Sequence, residues 1–131
     1  MDRHCENALS LAKYLKESTQ VKIVNYPFLP DHPNYQIAKK QMKSGGGIVT
    51  FDLGGAQKAK QFLNGLKMIS LTANLGDSRT IASHPFSTTH RKLSSDEKEL
   101  LGIGPGLIRI SVGLEHIDDI MEDISQSLTN M

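Results

Sequence analysis

Hydrophobic residues recur at helical spacing in several parts of the chain. Over residues 1–17 they fall on one face, which predicts a first helix. Further amphipathic patterns predict three more helices: one over residues 33–43, one that follows the Gly54-Gly55 turn and ends near Gly65, and one over residues 117–128. Ser94 and Glu97 form a capping box, which predicts a short helix ending at Gly102. The apolar positions expected to face inward are Cys5, Ala8, Leu9, Ala12, Leu15, Ile37, Ala38, Met42, Ala59, Phe62, Leu63, Leu66, Ile117, Ile120, Met121, Ile124 and Leu128.

Four β-branched segments between these helices predict strands, over residues 21–26, 48–53, 67–72 and 107–114. Residues 73–93 follow neither period and are expected to form an irregular loop. The predicted order is α-β-α-β-α-β-loop-α-β-α. This order indicates an α/β (α+β) fold, a two-layer sandwich in which helices pack on a four-stranded, mainly antiparallel sheet.

Composition narrows the class of protein. The chain has 131 residues, 15 Lys and Arg against 14 Asp and Glu, and one cysteine. This length predicts a single domain, residues 1–131, and the near-zero net charge gives no electrostatic reason to expect binding to nucleic acid or a membrane surface. A lone cysteine excludes an internal disulfide and a multi-cysteine metal site. We expect a protein of a reducing compartment, the cytoplasm, without a bound metal.

The last predicted strand carries the most informative polar residue. Ile108 and Ile110 alternate with Arg109, so the arginine is expected on the sheet face opposite the apolar side chains. An arginine in mid-strand suits a carboxylate, which its planar guanidinium binds with two hydrogen bonds. A solvated arginine or an internal salt bridge would give the same pattern, and the residues alone leave both interpretations open.

The irregular stretch is the second candidate region. It concentrates short polar side chains, and loops of this kind carry function more often than strands do. Such residues also satisfy loop backbone groups, so a purely structural interpretation stays open as well. No nucleophile–base pair and no phosphate-binding glycine loop is evident. The polar residues are Asn74, Asp77, Ser87, Thr88, Thr89 and His90.

Several motifs resemble one enzyme family. The runs NLGDSRT (residues 74–80), HPFSTTHR (84–91), LIRISVGLE (107–115) and IDDI (117–120) look like the C-terminal domain of the Cys/Met-metabolism family of pyridoxal-phosphate enzymes. Earlier pieces agree, including VNYP (24–27), DHP (31–33) and FDLGG (51–55). The resemblance covers nearly the whole chain in order. It implies the small C-terminal domain of a fold-type I pyridoxal-phosphate enzyme.

Details of the motifs resemble one branch of that family. Asn-Leu-Gly-Asp at residues 74–77, with Ser-Thr-Thr-His-Arg at residues 87–91, is similar to O-acetylhomoserine sulfhydrylases. Lyases and cystathionine synthases usually have Ser in place of Asn74 and Met in place of Thr88. Phe28 and Phe86 depart from the family pattern, which favours Gly and Ala there. A cystathionine γ-synthase or methionine γ-lyase type of enzyme remains the alternative.

The resemblance also implies roles for individual residues. Arg109 matches the arginine that binds the substrate α-carboxylate, Asn74 lines the substrate side of the site, and Thr88 and Thr89 lie near the arginine. Ser111, on the same strand face, is expected to support Arg109. No catalytic residue is expected in this chain.

The cofactor is expected elsewhere. The lysine that holds pyridoxal phosphate belongs to the family's N-terminal domain, and no Ser-x-Thr-Lys segment occurs here. Pyridoxal phosphate is therefore expected in the complete enzyme and not on this chain alone. The implied partners are a small amino-acid substrate, the N-terminal domain and further copies of the complete enzyme. The implied reaction replaces the acetate of O-acetylhomoserine with sulfide. An independent small-ligand-binding module and a purely structural domain are the competing hypotheses.

Overall fold

The elements alternate between helices and short strands along the chain. A computed structural model describes residues 2–30, 32–71, 78–86, 94 and 104–129. The predicted capping-box helix, apart from Ser94, lies outside these residues. The elements are α1 (Asp2–Lys16), β1 (Ile23–Asn25), α2 (Tyr35–Gln41), β2 (Ile48–Asp52), α3 (Ala56–Gly65), β3 (Ser70–Leu71), β4 (Ile81–Ser83), β5 (Leu107–Ser111) and α4 (Ile117–Thr129).

The sheet contains five described strands in the order β1-β2-β5-β4-β3. Three of its four neighbouring pairs are antiparallel and β3–β4 is parallel, which confirms the mainly antiparallel sheet. The predicted count of four strands was wrong, because β4 lies inside the stretch expected to be irregular. All three residues of β4 are buried. The strand therefore has no exposed face, and its sequence lacks the alternation of polar and apolar residues that marks a half-exposed strand.

The core lies between the sheet and the helices. Leu11 and Leu15 of α1, Phe62 of α3 and Ile124 of α4 belong to one hydrophobic cluster with the inward residues of β2 and β5. Phe62 also contacts Phe51 of β2 edge to face, with 5.5 Å between ring centroids. This arrangement confirms the expected layer of helices on one face of the sheet.

Helix α2 contributes little to that core. Its residue Ala38 is buried, but Ile37 is 55% exposed and Met42, at the C-cap, is 40% exposed. The expectation that both would face inward was therefore wrong. Pro33 also precedes the helix, which begins after the N-cap residue Asn34. No helix within the described ranges is long and apolar enough to cross a membrane.

Candidate functional site

Strand β5 divides its side chains between the two faces of the sheet. Ile108 and Ile110 are fully buried in the core. Arg109, between them, is half-buried on the opposite face. The expected alternation is confirmed, because neighbouring side chains in a strand point to opposite faces. The central strand of the sheet thus presents a cation on the face that the core does not use.

The strand register aligns further polar residues with Arg109. Thr50 of β2 pairs directly with Arg109, and Asn25 of β1 pairs with Thr50. On the other side, Ser83 of β4 pairs directly with Arg109. Directly paired residues lie on one face with Cβ atoms about 4.5–5.5 Å apart. Four strands therefore contribute one polar row, Asn25–Thr50–Arg109–Ser83, across the sheet face opposite the core, which is exposed at β1 and buried at β4.

The electrostatics of this row centre on two side chains. Burial lowers the pKa of the Arg109 guanidinium from its usual value, although an arginine stays protonated at any physiological pH. The Ser83 hydroxyl is buried and has no hydrogen-bond partner within the described part of the chain. A cation and an unsatisfied hydroxyl next to each other suit an anionic ligand better than an apolar one.

The end of β5 is fixed to β4 by a group of hydrogen bonds. Thr80, just before β4, accepts a bond from Gly113 N at 2.9 Å and donates its hydroxyl to Glu115 at 2.6 Å. Glu115 also accepts the Thr80 backbone N–H at 2.9 Å. A Cβ at Gly113 would overlap the backbone of residues 78–80, so this close approach requires glycine. These contacts extend a ladder that has only three residue pairs.

Helix α1 secures the same strand end. Asn7 donates to the carbonyls of Gly113 at 3.1 Å and Glu115 at 2.9 Å, and His4 Nδ1 donates to Val112 O at 2.6 Å. Sequence reasoning assigned no role to Asn7 or Glu115. The available signal was the polar Asn7 beside Ala8 on an apolar helix face, where a buried amide needs partners.

The remaining predicted site residues are divided between described and undescribed parts of the chain. Asn74, Thr88 and Thr89 lie outside the described residues. Ser111 is buried on the same face of β5 as Arg109, two positions along the strand. The described structure therefore brings Arg109 together with Thr50 and Ser83, neither of which was singled out from the sequence.

A separate cavity of about 300 Å³ opens beside α1. The buried Tyr26 lines it and donates its hydroxyl to Gly46 O at 2.8 Å. Burial, reinforced by the charge of Cys5, raises the pKa of Tyr26 to about 12. No residue of β5 lines this cavity, whose walls are Asp2, Cys5, Glu6, Leu9, Tyr26, Phe28, Lys43, Ser44 and Gly45.

Comparison with known proteins identifies the family. Residues 1–129 match the family of Cys/Met metabolism PLP-dependent enzymes. The chain is 46% identical over 129 residues to an L-methionine gamma-lyase of Fusobacterium nucleatum, covering 98% of this chain and 33% of the lyase. It is also 46% identical over 134 residues to an O-acetyl-L-homoserine sulfhydrylase of Leptospira meyeri, covering 100% of this chain and 30% of that enzyme.

The fold agrees with this match. The crystal structure of a cystathionine gamma-lyase from Micromonospora echinospora superposes with a TM-score of 0.93 at 37% identity, covering 99% of this chain and 34% of that one. The chain thus spans about one third of the length of each of these relatives. On the evidence of both sequence and fold, the chain belongs to the Cys/Met metabolism family of pyridoxal-phosphate-dependent enzymes.

Proposed function

We propose that this chain is the C-terminal, substrate-recognition domain of a pyridoxal-phosphate-dependent O-acetylhomoserine sulfhydrylase. The observation that carries the proposal is Arg109, half-buried in a polar row on the sheet face opposite the core. In the proposed reaction sulfide replaces the acetate of O-acetylhomoserine and homocysteine is formed. The domain is proposed to be inactive alone and to act in the cytoplasm.

Arg109 is the proposed anchor for the α-carboxylate of the amino-acid substrate. Its planar fork can donate two parallel hydrogen bonds to one carboxylate, which fixes the orientation of the substrate as well as its position. The half-buried setting strengthens that interaction, because the contact is less screened by water than a surface ion pair. We propose that Asn74, Thr88 and Thr89 line the substrate side of the same site, as the family motifs imply.

The choice of sulfhydrylase over lyase depends on the motifs. Relatives of similar identity carry both names, so overall similarity does not separate the two activities. Asn74 in Asn-Leu-Gly-Asp and Thr88 in Ser-Thr-Thr-His-Arg support the sulfhydrylase. A methionine γ-lyase or cystathionine γ-synthase type of reaction is the alternative. It would use Arg109 in the same way, because these amino-acid substrates share the α-carboxylate.

Pyridoxal phosphate supplies the electron sink for this chemistry when it is bound to a complete enzyme of the family. The residues of the polar row fit the amino-acid side of such a site, since they offer a cation and a hydroxyl to a carboxylate. We propose that the cofactor is held by an N-terminal domain rather than by this chain, which has no Ser-x-Thr-Lys segment.

Exposed apolar side chains on the β1 and β2 part of the Arg109 face support a partner domain. Ile23 is 66% exposed and Ile48 is 37% exposed on the face that carries Arg109. Apolar side chains on a sheet face gain free energy when another surface covers them. We propose that the cofactor domain packs on this face, so that Arg109 closes the substrate site between the two domains, and that the complete enzyme is a homo-oligomer.

The test replaces Arg109 in the complete enzyme. Arg109→Lys keeps the charge and loses the planar fork, whereas Arg109→Ala removes both. We expect kcat/KM for O-acetyl-L-homoserine to fall by roughly thirty-fold or more for the alanine variant, the equivalent of about 2–5 kcal/mol for truncating one partner of a buried charge pair. Arg3→Lys, on the exposed surface of α1, is the matched control. Wild-type kcat/KM in both Arg109 variants, or unfolding of the alanine variant, would refute the carboxylate-anchor role.

A further inference from the structure

The Ser83 hydroxyl is unusual because it is buried without a partner. Ser83 is 5% exposed, and its Oγ has no hydrogen bond within the described ranges. A buried hydroxyl without a partner destabilises the folded state, since it has lost its bonds to water and gained none. Ser127 of α4 is the useful comparison, because it is also buried and donates its hydroxyl to Phe62 O.

The neighbour of Ser83 is a strong donor. Ser83 and Arg109 are directly paired across the β4–β5 ladder, so their Cβ atoms are about 4.5–5.5 Å apart on one face. A serine hydroxyl is too short to reach the far end of an extended guanidinium. Its Oγ is one bond from the serine Cβ, whereas Nε is three bonds from the arginine Cβ. Rotation about the Arg109 side-chain bonds that bends the chain toward β4 brings Nε–H within hydrogen-bonding distance of Oγ.

The donor count of arginine gives this contact a function. The guanidinium has five N–H groups, so it can give two of them to a carboxylate and donate another to a hydroxyl oxygen. We propose that Ser83 is a positioning residue, whose hydroxyl oxygen accepts the Arg109 Nε–H bond when the guanidinium binds the substrate carboxylate. This inference rests on the proposed function of Arg109.

The register that places Ser83 beside Arg109 is itself fixed by polar contacts. Strand β4 pairs with β5 at three positions and with β3 at two. Thr80 and Glu115 lock its start, as described above. A shift by one residue would turn the Ser83 side chain to the other sheet face. The fold therefore holds a hydroxyl beside Arg109 at a cost to stability.

Stability and affinity are consequently expected to change in opposite directions when the hydroxyl is removed. Ser83→Ala removes the unsatisfied group, so the melting temperature is expected to stay equal or rise. The same variant loses the acceptor for Arg109, so KM for O-acetyl-L-homoserine is expected to rise about tenfold while kcat changes less than twofold. Ser83→Thr, which keeps a hydroxyl, is expected to restore KM to within about threefold of the unsubstituted value.

The experiment measures melting temperature, kcat and KM for these variants in the complete enzyme. Ser127→Ala, the matched control, is expected to lower the melting temperature without changing KM. A lower melting temperature with unchanged KM for Ser83→Ala would assign Ser83 a structural role and overturn the inference. Arg109→Lys is measured in parallel. If it also leaves KM and kcat unchanged, the proposed function itself fails; if it impairs binding while Ser83→Ala does not, only the role of Ser83 is wrong.

Discussion

Asp123 connects helix α4 to the segment that leads into β3, and its removal is expected to destabilise the fold. The residue is 6% exposed. Its Oδ1 accepts the backbone N–H of Lys67 at 2.8 Å, and its Oδ2 accepts those of Met68 at 3.0 Å and Ile69 at 2.8 Å. Gln126 Nε2 donates to Oδ1 at 3.1 Å. One carboxylate thus satisfies three backbone donors that no strand ladder has yet paired.

Asp123→Asn keeps the size of the side chain and replaces one acceptor oxygen with a donor. With Oδ1 kept in place, the new NH₂ group would face the N–H groups of Met68 and Ile69, which lose their acceptor. Hydrogen bonds to a charged group contribute about 1.5–3 kcal/mol each, and relaxation recovers part of this loss. We expect the free energy of unfolding to fall by about 2–4 kcal/mol, which for a chain of this size lowers the melting temperature by roughly 8–15 °C.

The stabilisation by the Asp123 carboxylate is expected to decrease as the pH falls. Burial raises the pKa of Asp123, but the backbone donors of Lys67, Ile69 and Met68, with the Gln126 amide, outweigh it and leave the pKa below its usual value. A group with a lowered folded-state pKa stabilises the protein above its unfolded-state pKa, near 3.9 for aspartate. That contribution is lost as the pH falls through the folded-state pKa.

Denaturant unfolding of the parent chain and Asp123→Asn between pH 7 and pH 2 measures both effects. The difference in unfolding free energy between the parent chain and Asp123→Asn is expected to have its largest value at pH 7 and to shrink once the pH falls below about 4. Glu122→Gln, at the exposed neighbouring position, is expected to change stability by less than about 0.5 kcal/mol. A difference that stays constant with pH, or an Asp123→Asn variant as stable as the parent at pH 7, would refute the role of the charge.

Two further substitutions test other parts of the fold. Tyr26→Phe removes the buried hydroxyl that donates to Gly46 O, and is expected to lower the free energy of unfolding by about 1–2 kcal/mol. Tyr14→Phe, at a half-buried position, is the control and is expected to lower it by less. Chemical denaturation measures both variants. Gly113→Ala places a Cβ against the backbone of residues 78–80 and is expected to lower the free energy of unfolding by about 2–4 kcal/mol. The added Cβ of Gly55→Ala meets open space, so this control variant is expected to be tolerated. Equal melting temperatures of the two variants would contradict this prediction.

Periodic patterns predicted the parts of the fold that have one buried face. Strand β5 and helix α4 bury regular apolar stripes, so their type and the orientation of Arg109 could be predicted from spacing alone. Helix α2 shows where that logic fails. Its apolar residues follow helical spacing, but the neighbouring elements cover only Ala38 and leave Ile37 in solvent. Periodicity predicts which residues share a face and not whether another element packs against it.

Strand β4 could not be predicted for a different reason. Ile81, Ala82 and Ser83 are buried on both sides of the sheet, and three residues are too few to show a period. The partner that stabilises this strand, β5, begins 24 positions after Ser83, so no local signal marks the pairing. The missed strand is also the one that supplies Ser83 to the polar row, and the sequence-based site therefore lacked its unsatisfied hydroxyl.

Strand β5 carries core residues on one face of the sheet and the residues of the proposed site on the other. Ile108 and Ile110 pack in the core, and their truncation would create cavities that destabilise the domain. Arg109, between them, contributes its guanidinium to the other face, where the neighbouring Ser83 hydroxyl is buried without a hydrogen bond and lowers stability. Groups that lower stability in this way are enriched at functional sites, where another interaction uses them. The unsatisfied Ser83 hydroxyl is therefore explained by the proposed role of this face in binding substrate, and not by the packing of the core.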